Sequence, residues 1–542
     1  MTSQTKHSLG RVVACERRNM WLTQTLRLSG VFWKIMEFDW KKLFDKHKKK
    51  AYSHIDTPCT TYQNSNGQLS KTAKNIIGYI TNEHKIARHS FLPFIGYNIT
   101  ERHVSKIDKT KTREEQVSIA KIRPIRCASH FDSMIYAYYT HILYTLYEEA
   151  LAELELGDVV LAYRKSEHMH KIANNITFAR EIFDIIKSKN NKCLALAFDI
   201  KSFYDYIDHK KLKQQWALLL NKDATDGRLP PDHYNIYKSL TNYSFIDINT
   251  IKRYLQCWHA DFDSHDCKKC PLQKNVKLPK KLFKDVDAFH KFREWCKTYD
   301  KKTCSKYAFN VNNGILDKTD PYGIPQGSPI SALLANIYML PFDKALKEFC
   351  DKRNATYRRY SDDILIICDL SSKDEIYQYI MQKIQEQGKH LTIHPIEEHK
   401  KSKSKCYDFS SDRIKQNPLQ YLGFTFDGND IKIRGSSIAK YLRKSKRGIT
   451  SMRFATQNKI EQLITNGVPF DSIKKKLYRR QLYKKYTHLG KNNFWCYVNR
   501  AFYDMSHLTI KKQMRKHFER VKELIDHQDM QLKLFLDRLK QQ

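Results

Sequence analysis

Ala355-Thr356-Tyr357-Arg358-Arg359-Tyr360-Ser361-Asp362-Asp363-Ile364-Leu365-Ile366-Ile367-Cys368 decides the fold. Two β-prone runs flank an acidic pair, which predicts a hairpin with both carboxylates at its tip. Adjacent acids repel, and burial penalises each, so the pair is costly without a cation. A hard divalent ion with oxygen ligands is the natural compensation. A solvated Asp-Asp turn is the other reading of this stretch alone.

Further out, Leu194-Ala195-Leu196-Ala197-Phe198 is an apolar run ending at Asp199, followed by Ile200-Lys201-Ser202-Phe203-Tyr204-Asp205-Tyr206-Ile207-Asp208. A buried strand beside the hairpin would set Asp199 next to Asp362. Two-metal phosphoryl transfer needs carboxylates converging from different strands, because two cations roughly 3.5–4 Å apart hold the attacking and leaving oxygens. A third element, Gly323-Ile324-Pro325-Gln326-Gly327-Ser328-Pro329-Ile330-Ser331, predicts a turn opening a helix from Pro329 to about Phe349. Ser328 suits its N-cap and Pro329 its first position. The glycines allow a backbone to approach a substrate closely.

In this order the three elements resemble a reverse transcriptase palm, with Tyr360–Asp363 as its catalytic hairpin. The resemblance covers roughly residues 115 to 510. It implies an α+β right-hand polymerase: fingers, a palm of antiparallel sheet flanked by helices, and a helical thumb or C-terminal bundle. Asp199 and Asp362 match the metal-binding acids, Asp363 the accompanying acid, and the Ile200 carbonyl a backbone ligand. The implied cofactor is a pair of Mg²⁺ ions, with Mn²⁺ as an alternative. Tyr204 matches an aromatic gate against a ribose 2′-hydroxyl, which implies DNA synthesis. Gln326 and Gly327 match residues lining the nucleotide and template. In Lys121-Ile122-Arg123-Pro124, Arg123 matches a triphosphate-gripping arginine, and Lys121 is a second contact. A guanidinium suits phosphate by its fork of donors. Leu419–Phe426 resembles the primer grip, with Tyr421, Leu422 and Gly423 at its centre. Lys400, Lys401, Lys403 and Lys405 compete for the palm lysine near the leaving pyrophosphate.

Several flanking segments resemble the bacterial unknown-group and abortive-infection reverse transcriptases, many of which act in antiphage defence. These are Ala128–Ser133 with Ile135–Tyr139, Ala162–Lys165, Ser436–Lys444 and Asn493–Ala501. The Val-Thr-Gly signature of retron enzymes is not apparent, nor is a nuclease triad after residue 430, nor an integrase or RNase H constellation.

The formal charge of +38 over 542 residues implies a polyanionic partner, since each neutralised phosphate releases counterions. The resemblance implies RNA template, DNA product and dNTPs as partners. A companion RNA, a partner protein or a second protomer are further candidates. Lys474–Arg480 and Lys484–Tyr486 interleave bases with aromatics, which fits either a nucleic-acid face or a plain charged helix. No stretch has transmembrane length, so no membrane partner is expected. The thirteen scattered cysteines read as reduced thiols in a bacterial cytoplasm. Cys257, His259, His265, Cys267 and Cys270 cluster, with Cys296 and Cys304 beyond. Their residue types suit a structural Zn²⁺, but their spacing fits no standard finger.

The expected organisation is as follows. Residues 1–35 are basic with Glu16 as their single acid, and read as a mis-called start before Met36, the favoured reading, as a real basic extension or as an organellar presequence. Residues 36–190 form a helical N-terminal part and the fingers. Residues 191–430 form the palm, with an insertion at 209–320 expected to project as a separate lobe. Residues 431–542 form the helical thumb and bundle. The expected activity is Mg²⁺-dependent reverse transcription in antiphage defence. Untemplated or protein-primed synthesis by the same site is one alternative. A nucleic-acid-binding defence module with dispensable catalysis is the other.

Overall fold

The computed structural model describes residues 38–48, 62–104, 117–164, 167–168, 171–172, 174–257, 278–279, 281–299, 310–311, 322–396, 403–473 and 476–541. The fold is polymerase-like and mixed α+β. Helices α1 (Trp40–Lys48) and α2 (Lys71–Ile80) lead to the long strands β1 (Phe94–Val104) and β2 (Val117–Cys127). Next come α3 (His130–Glu153), α4 (Asn175–Ser188), β3 (Leu194–Asp199), α5 (His209–Leu220) and α6 (Pro231–Thr241). After β4 (Ser244–Asp247) follow α7 (Ile248–Cys257), α8 (Val286–Tyr299), α9 (Ser331–Tyr338) and α10 (Leu340–Asp351). The chain then forms β5 (Thr356–Tyr360), β6 (Asp363–Cys368), α11 (Lys373–Gln387) and β7 (Lys405–Asp408). A small sheet of β8 (Leu419–Tyr421), β9 (Phe424–Phe426) and β10 (Ile431–Ile433) precedes the helical end. That end comprises α12 (Gly435–Thr465), α13 (Arg479–Tyr486), α14 (Phe494–Met505) and α15 (His517–Gln541).

The palm sheet runs β7-β3-β6-β5, with every neighbour antiparallel. Apart from Asp199 and Asp363 at one end, its two central strands are apolar because both faces are covered. Side chains alternate strictly between two cores. Leu194, Leu196, Phe198, Ile364, Ile366 and Cys368 face one core, shared with α3 and α9–α11. Ala195, Leu365 and Ile367 face the other, shared with α4, the β8–β10 sheet and the C-terminal helices. Each fully buried branched side chain contributes roughly 1.5–3 kcal/mol.

Two expectations change. The helix predicted from Pro329 to Phe349 is two helices, α9 and α10, meeting at Met339. Pro341 lacks an N–H and its ring crowds the preceding turn, so one helix cannot run through it. Helix α9 also starts later, at Ser331, whose hydroxyl donates to the Pro325 carbonyl at 2.7 Å. Ser328 caps nothing.

The described residues of the 209–320 segment pack against the palm and the fingers. Its strand β4 joins β1 in parallel, Phe94 opposite Phe245. Ile95 of the fingers packs with Ile246, Ile251, Tyr254, Phe283 and Phe292 of this segment. Strand β4 is only four residues long, but β1 offers it an unpaired edge.

Candidate active site

Strand β3 delivers Asp199 to one end of the palm sheet, directly opposite Asp363 on β6. Tyr360 pairs with Asp363, so Ser361 and Asp362 form a two-residue turn. Ser361 lies at φ 60°, in the left-handed region, as tight hairpins require. The Ile200 N–H donates to the Asp362 carbonyl at 3.1 Å. Three carboxylates therefore share one end of the sheet. Among the described residues, no group of three acids, imidazoles or thiols is drawn together as a ready-made metal cage.

An ammonium and an imidazole lie against Asp199. Lys403 Nζ lies 2.9 Å from Asp199 Oδ2, and His394 Nε2 lies 3.5 Å from the same oxygen. Of the four lysines that compete in the sequence, Lys403 thus reaches the catalytic end. Lys405 lies within β7, and Lys400 and Lys401 fall outside the described residues. His394 carries no sequence signal at all. A partly buried carboxylate that draws an ammonium and an imidazole fits a hard cation by its oxygen donors.

The loop after Asp199 is sewn to the Gly323–Ser331 turn. Gly323 N–H donates to the Ile207 carbonyl at 2.8 Å, and Ile324 N–H to that of Tyr204 at 3.0 Å. Buried His209 sits 2.6 Å from the Gly323 carbonyl, and burial lowers its pKa. Tyr204 lies beside Tyr163 and Ser361, and burial, followed by the Tyr163 hydroxyl, pushes its own hydroxyl pKa up. Tyr204 thus lies at the same end of the sheet as the Ser361-Asp362 turn.

The fingers meet this turn directly. Arg126 N–H donates to the Gln326 carbonyl at 2.8 Å. A side chain at Gly327, at φ 112°, would come within 3.0 Å of the Arg126 carbonyl. Arg123 lies three residues back on β2, opposite Ile99 and half-buried. Lys121 pairs with Glu101 across the ribbon, and its side chain lies outside the described residues. The Arg126 guanidinium stacks 3.7 Å from the Phe245 ring of the inserted strand β4, a cation–π contact.

Tyr421-Leu422-Gly423-Phe424 forms a second two-residue turn between β8 and β9. Leu422 at φ 44° and Gly423 at φ 92° are both left-handed, the pattern of a type I′ hairpin. Leu422 packs against the Leu161–Phe178 pair, as does Tyr360, the residue before Ser361. Tyr421 is buried.

Of the cysteine and histidine cluster, His259, His265, Cys267 and Cys270 lie outside the described residues, as do the side chain of Cys257 and the basic extension 1–35. Cys296 is a buried thiol packed among the aromatics of α7 and α8. In the basic run, Lys474 and Lys475 are outside the described residues. Arg479 is engaged by Asp526 and Asp529 of α15, and Arg480, Lys484 and Lys485 are exposed.

Residues 222–426 match the family described as reverse transcriptase (RNA-dependent DNA polymerase). The chain carries a reverse transcriptase domain. A domain of this kind indicates an RNA-directed DNA polymerase. The match spans the Gly323–Ser331 turn, the catalytic hairpin and the β8–β9 hairpin, and it begins after Asp199. Apo telomerase from Candida tropicalis, truncated from its C-terminal domain, is 12% identical with a TM-score of 0.31, over 69% of this chain and 64% of that one. Telomerase from the same organism, in complex with a TWJ fragment of telomeric RNA, is 13% identical with a TM-score of 0.29, over 86% and 68%. The Sicinivirus 3Dpol RNA-dependent RNA polymerase is 10% identical with a TM-score of 0.35, over 77% and 76%. Similarities this distant carry nothing about what the chain copies. No curated protein sequence matches it.

Four residues behind the catalytic turn escape the sequence reading. Arg359 and Asp343 form a wholly buried ion pair, joined by Asn336 and Tyr357. Arg359 lies in the quoted basic run, but nothing in the sequence links it to Asp343 on a separate helix.

Proposed function

We propose that this reverse transcriptase domain extends DNA on an RNA template with Mg²⁺, using Asp199, Asp362 and Asp363 as the carboxylates that hold the metals. The observation that carries this reading is the pairing of Asp199 with Asp363 at the end of the palm sheet, beside the Ser361-Asp362 turn. When bound, the ions would supply charge neutralisation for the triphosphate and the attacking hydroxyl. The chain's own part is positioning. Tyr204, tied to the Gly323–Ser331 turn, would close the space beside a deoxyribose. Arg123 would contact phosphate by its fork of donors. Gln326 and Gly327, fixed to β2 through Arg126 N–H, would form the floor beneath the base pair. The turn Tyr421–Phe424 would hold the primer end. Lys403 would leave Asp199 for the pyrophosphate once metal arrives.

The role we propose is antiphage defence, on the similarity of Ala128–Tyr139, Ala162–Lys165, Ser436–Lys444 and Asn493–Ala501 to the bacterial abortive-infection type. Asp362→Asn is the test of both levels. It should abolish primer extension while leaving RNA binding within about twofold, and abolish protection in a plaque assay. Retained extension would overturn the site assignment. Retained protection without extension would favour a binding module. Product in the absence of any template would favour untemplated synthesis.

A further inference from the structure

We propose that Arg359, clamped by Asp343, is a positioning residue that fixes the catalytic turn from behind. The inference rests on the reading that Asp362 and Asp363 hold the metals. Both partners are fully buried, with no exposure on either side chain. Arg359 Nε and Nη2 fork onto Asp343 at 2.7 and 2.5 Å. Tyr357 Oη donates to Asp343 Oδ1 at 2.6 Å. The remaining guanidinium nitrogen, Nη1, donates to Asn336 Oδ1 and to the Ser361 carbonyl, each at 3.1 Å. Asn336 in turn donates to the Ala162 carbonyl at 3.0 Å. The Arg359 backbone is fixed as well, through Val159 and Leu161.

A buried ion pair is a poor way to stabilise a core. Apolar residues of the same volume do as well or better, because both charges lose their hydration. What the guanidinium supplies, and an apolar side chain cannot, is direction. Its rigid fork points a third donor at one carbonyl once Asp343 has taken the first two. That carbonyl belongs to Ser361, whose left-handed backbone is unfavourable for a non-glycine residue. Its neighbour Asp362 is held on the other side by Ile200 N–H. The turn is thus pinned at both residues, one from inside the core and one from the adjacent strand. Arg359 touches no substrate atom in this arrangement.

The double variant Arg359→Met/Asp343→Leu removes the ion pair and the Ser361 contact but keeps the core filled. Its thermal midpoint should fall, because the Tyr357 hydroxyl and the Asn336 amide oxygen lose their partners, but by less than that of Arg359→Met alone, which strands a charge. Exchange of the Ile200 amide, which reports where Asp362 lies, should accelerate about tenfold or more. The Mg²⁺ concentration for half-maximal primer extension should rise by a similar factor, the effect of one lost charge-assisted hydrogen bond. A stable double variant with parental exchange and parental Mg²⁺ dependence would overturn the proposal, leaving Arg359 a structural residue. If the double variant does not fold, Arg359→Lys decides the matter. Its single ammonium can satisfy Asp343 but cannot also reach Ser361, so the same two shifts are expected, and their absence overturns the proposal. Ile200 exchange is independent of activity. An active Asp362→Asn enzyme would refute the metal assignment without touching this result.

Discussion

Ser361 and Leu422 both sit in left-handed backbone within two-residue hairpins, at φ 60° and 44°. Their surroundings differ. Ser361 is tied by a buried guanidinium, whereas Leu422 rests on Leu161 and Phe178. A hydrogen bond from a rigid donor fixes an oxygen in distance and angle. An apolar contact fixes a surface and is non-directional. On the proposed function the difference suits the tasks. Carboxylates that hold metal need a constant position, while a primer strand must advance past its holder after each addition. Tyr360 links the two turns, since it precedes Ser361 and packs against the same Leu161–Phe178 pair as Leu422.

The comparison breaks most sharply at Arg359. Arg359→Met alone strands Asp343 in the core and should cost about 3–5 kcal/mol, read from urea unfolding. A cost below about 1 kcal/mol would show the two turns to be supported alike. Leu422→Ala should cost less, about 1–2 kcal/mol, because the side chain is only half-buried and packing losses scale with what is removed. It should raise KM for primer–template and leave the Mg²⁺ dependence parental. A shifted Mg²⁺ dependence would mean the turns are not separable. Gly423→Ala should cost about 1 kcal/mol from its φ of 92° alone. The nearest atom to an added Cβ is the Tyr497 hydroxyl at 3.7 Å, so no clash contributes.

Acid sharpens the contrast further. His209 reaches the Gly323 carbonyl on the catalytic side, and burial holds its pKa below the usual 6.5. The folded chain therefore keeps it neutral while the unfolded chain takes up a proton. Stability should be flat above 6.5 and fall as pH drops below that value. His233 and His517 are lowered by burial in the same way and share the slope. His209→Gln should flatten part of it in urea midpoints measured across this range, and an unchanged slope would assign it to the other two.

The central palm was legible in the sequence because its signals are local. An apolar run ending in Asp199 and a hairpin carrying Asp362 and Asp363 each lie within a dozen residues. The hairpin at Leu422-Gly423 was expected only through the resemblance of Leu419–Phe426 to a primer grip, whereas the helical C-terminal region was legible from its apolar spacing. What was missed depends on contacts between distant segments. Asp343 meets Arg359 across a helix–strand interface. His394 and Lys403 reach Asp199 from the segment before β7. Phe245 covers Arg126 from the far side of the fingers sheet. No periodicity encodes such encounters. Pro341 was visible in the sequence, and its known effect on helices should have divided the predicted helix at Met339.

The parallel pairing of β4 with β1 has a consequence for how the molecule is made. Phe94 finds its partner only at Phe245, and Leu194 of the palm finds one of its partners only at Asp408. As the chain leaves the ribosome, the fingers cannot close their sheet until the inserted strand has emerged. The palm must then wait longer still for its edge strand. Such distant pairings fold slowly and leave strand edges open in the meantime. The inserted segment is therefore built into the folding order of the fingers, and deleting it would leave β1 with a bare edge on which other chains could nucleate.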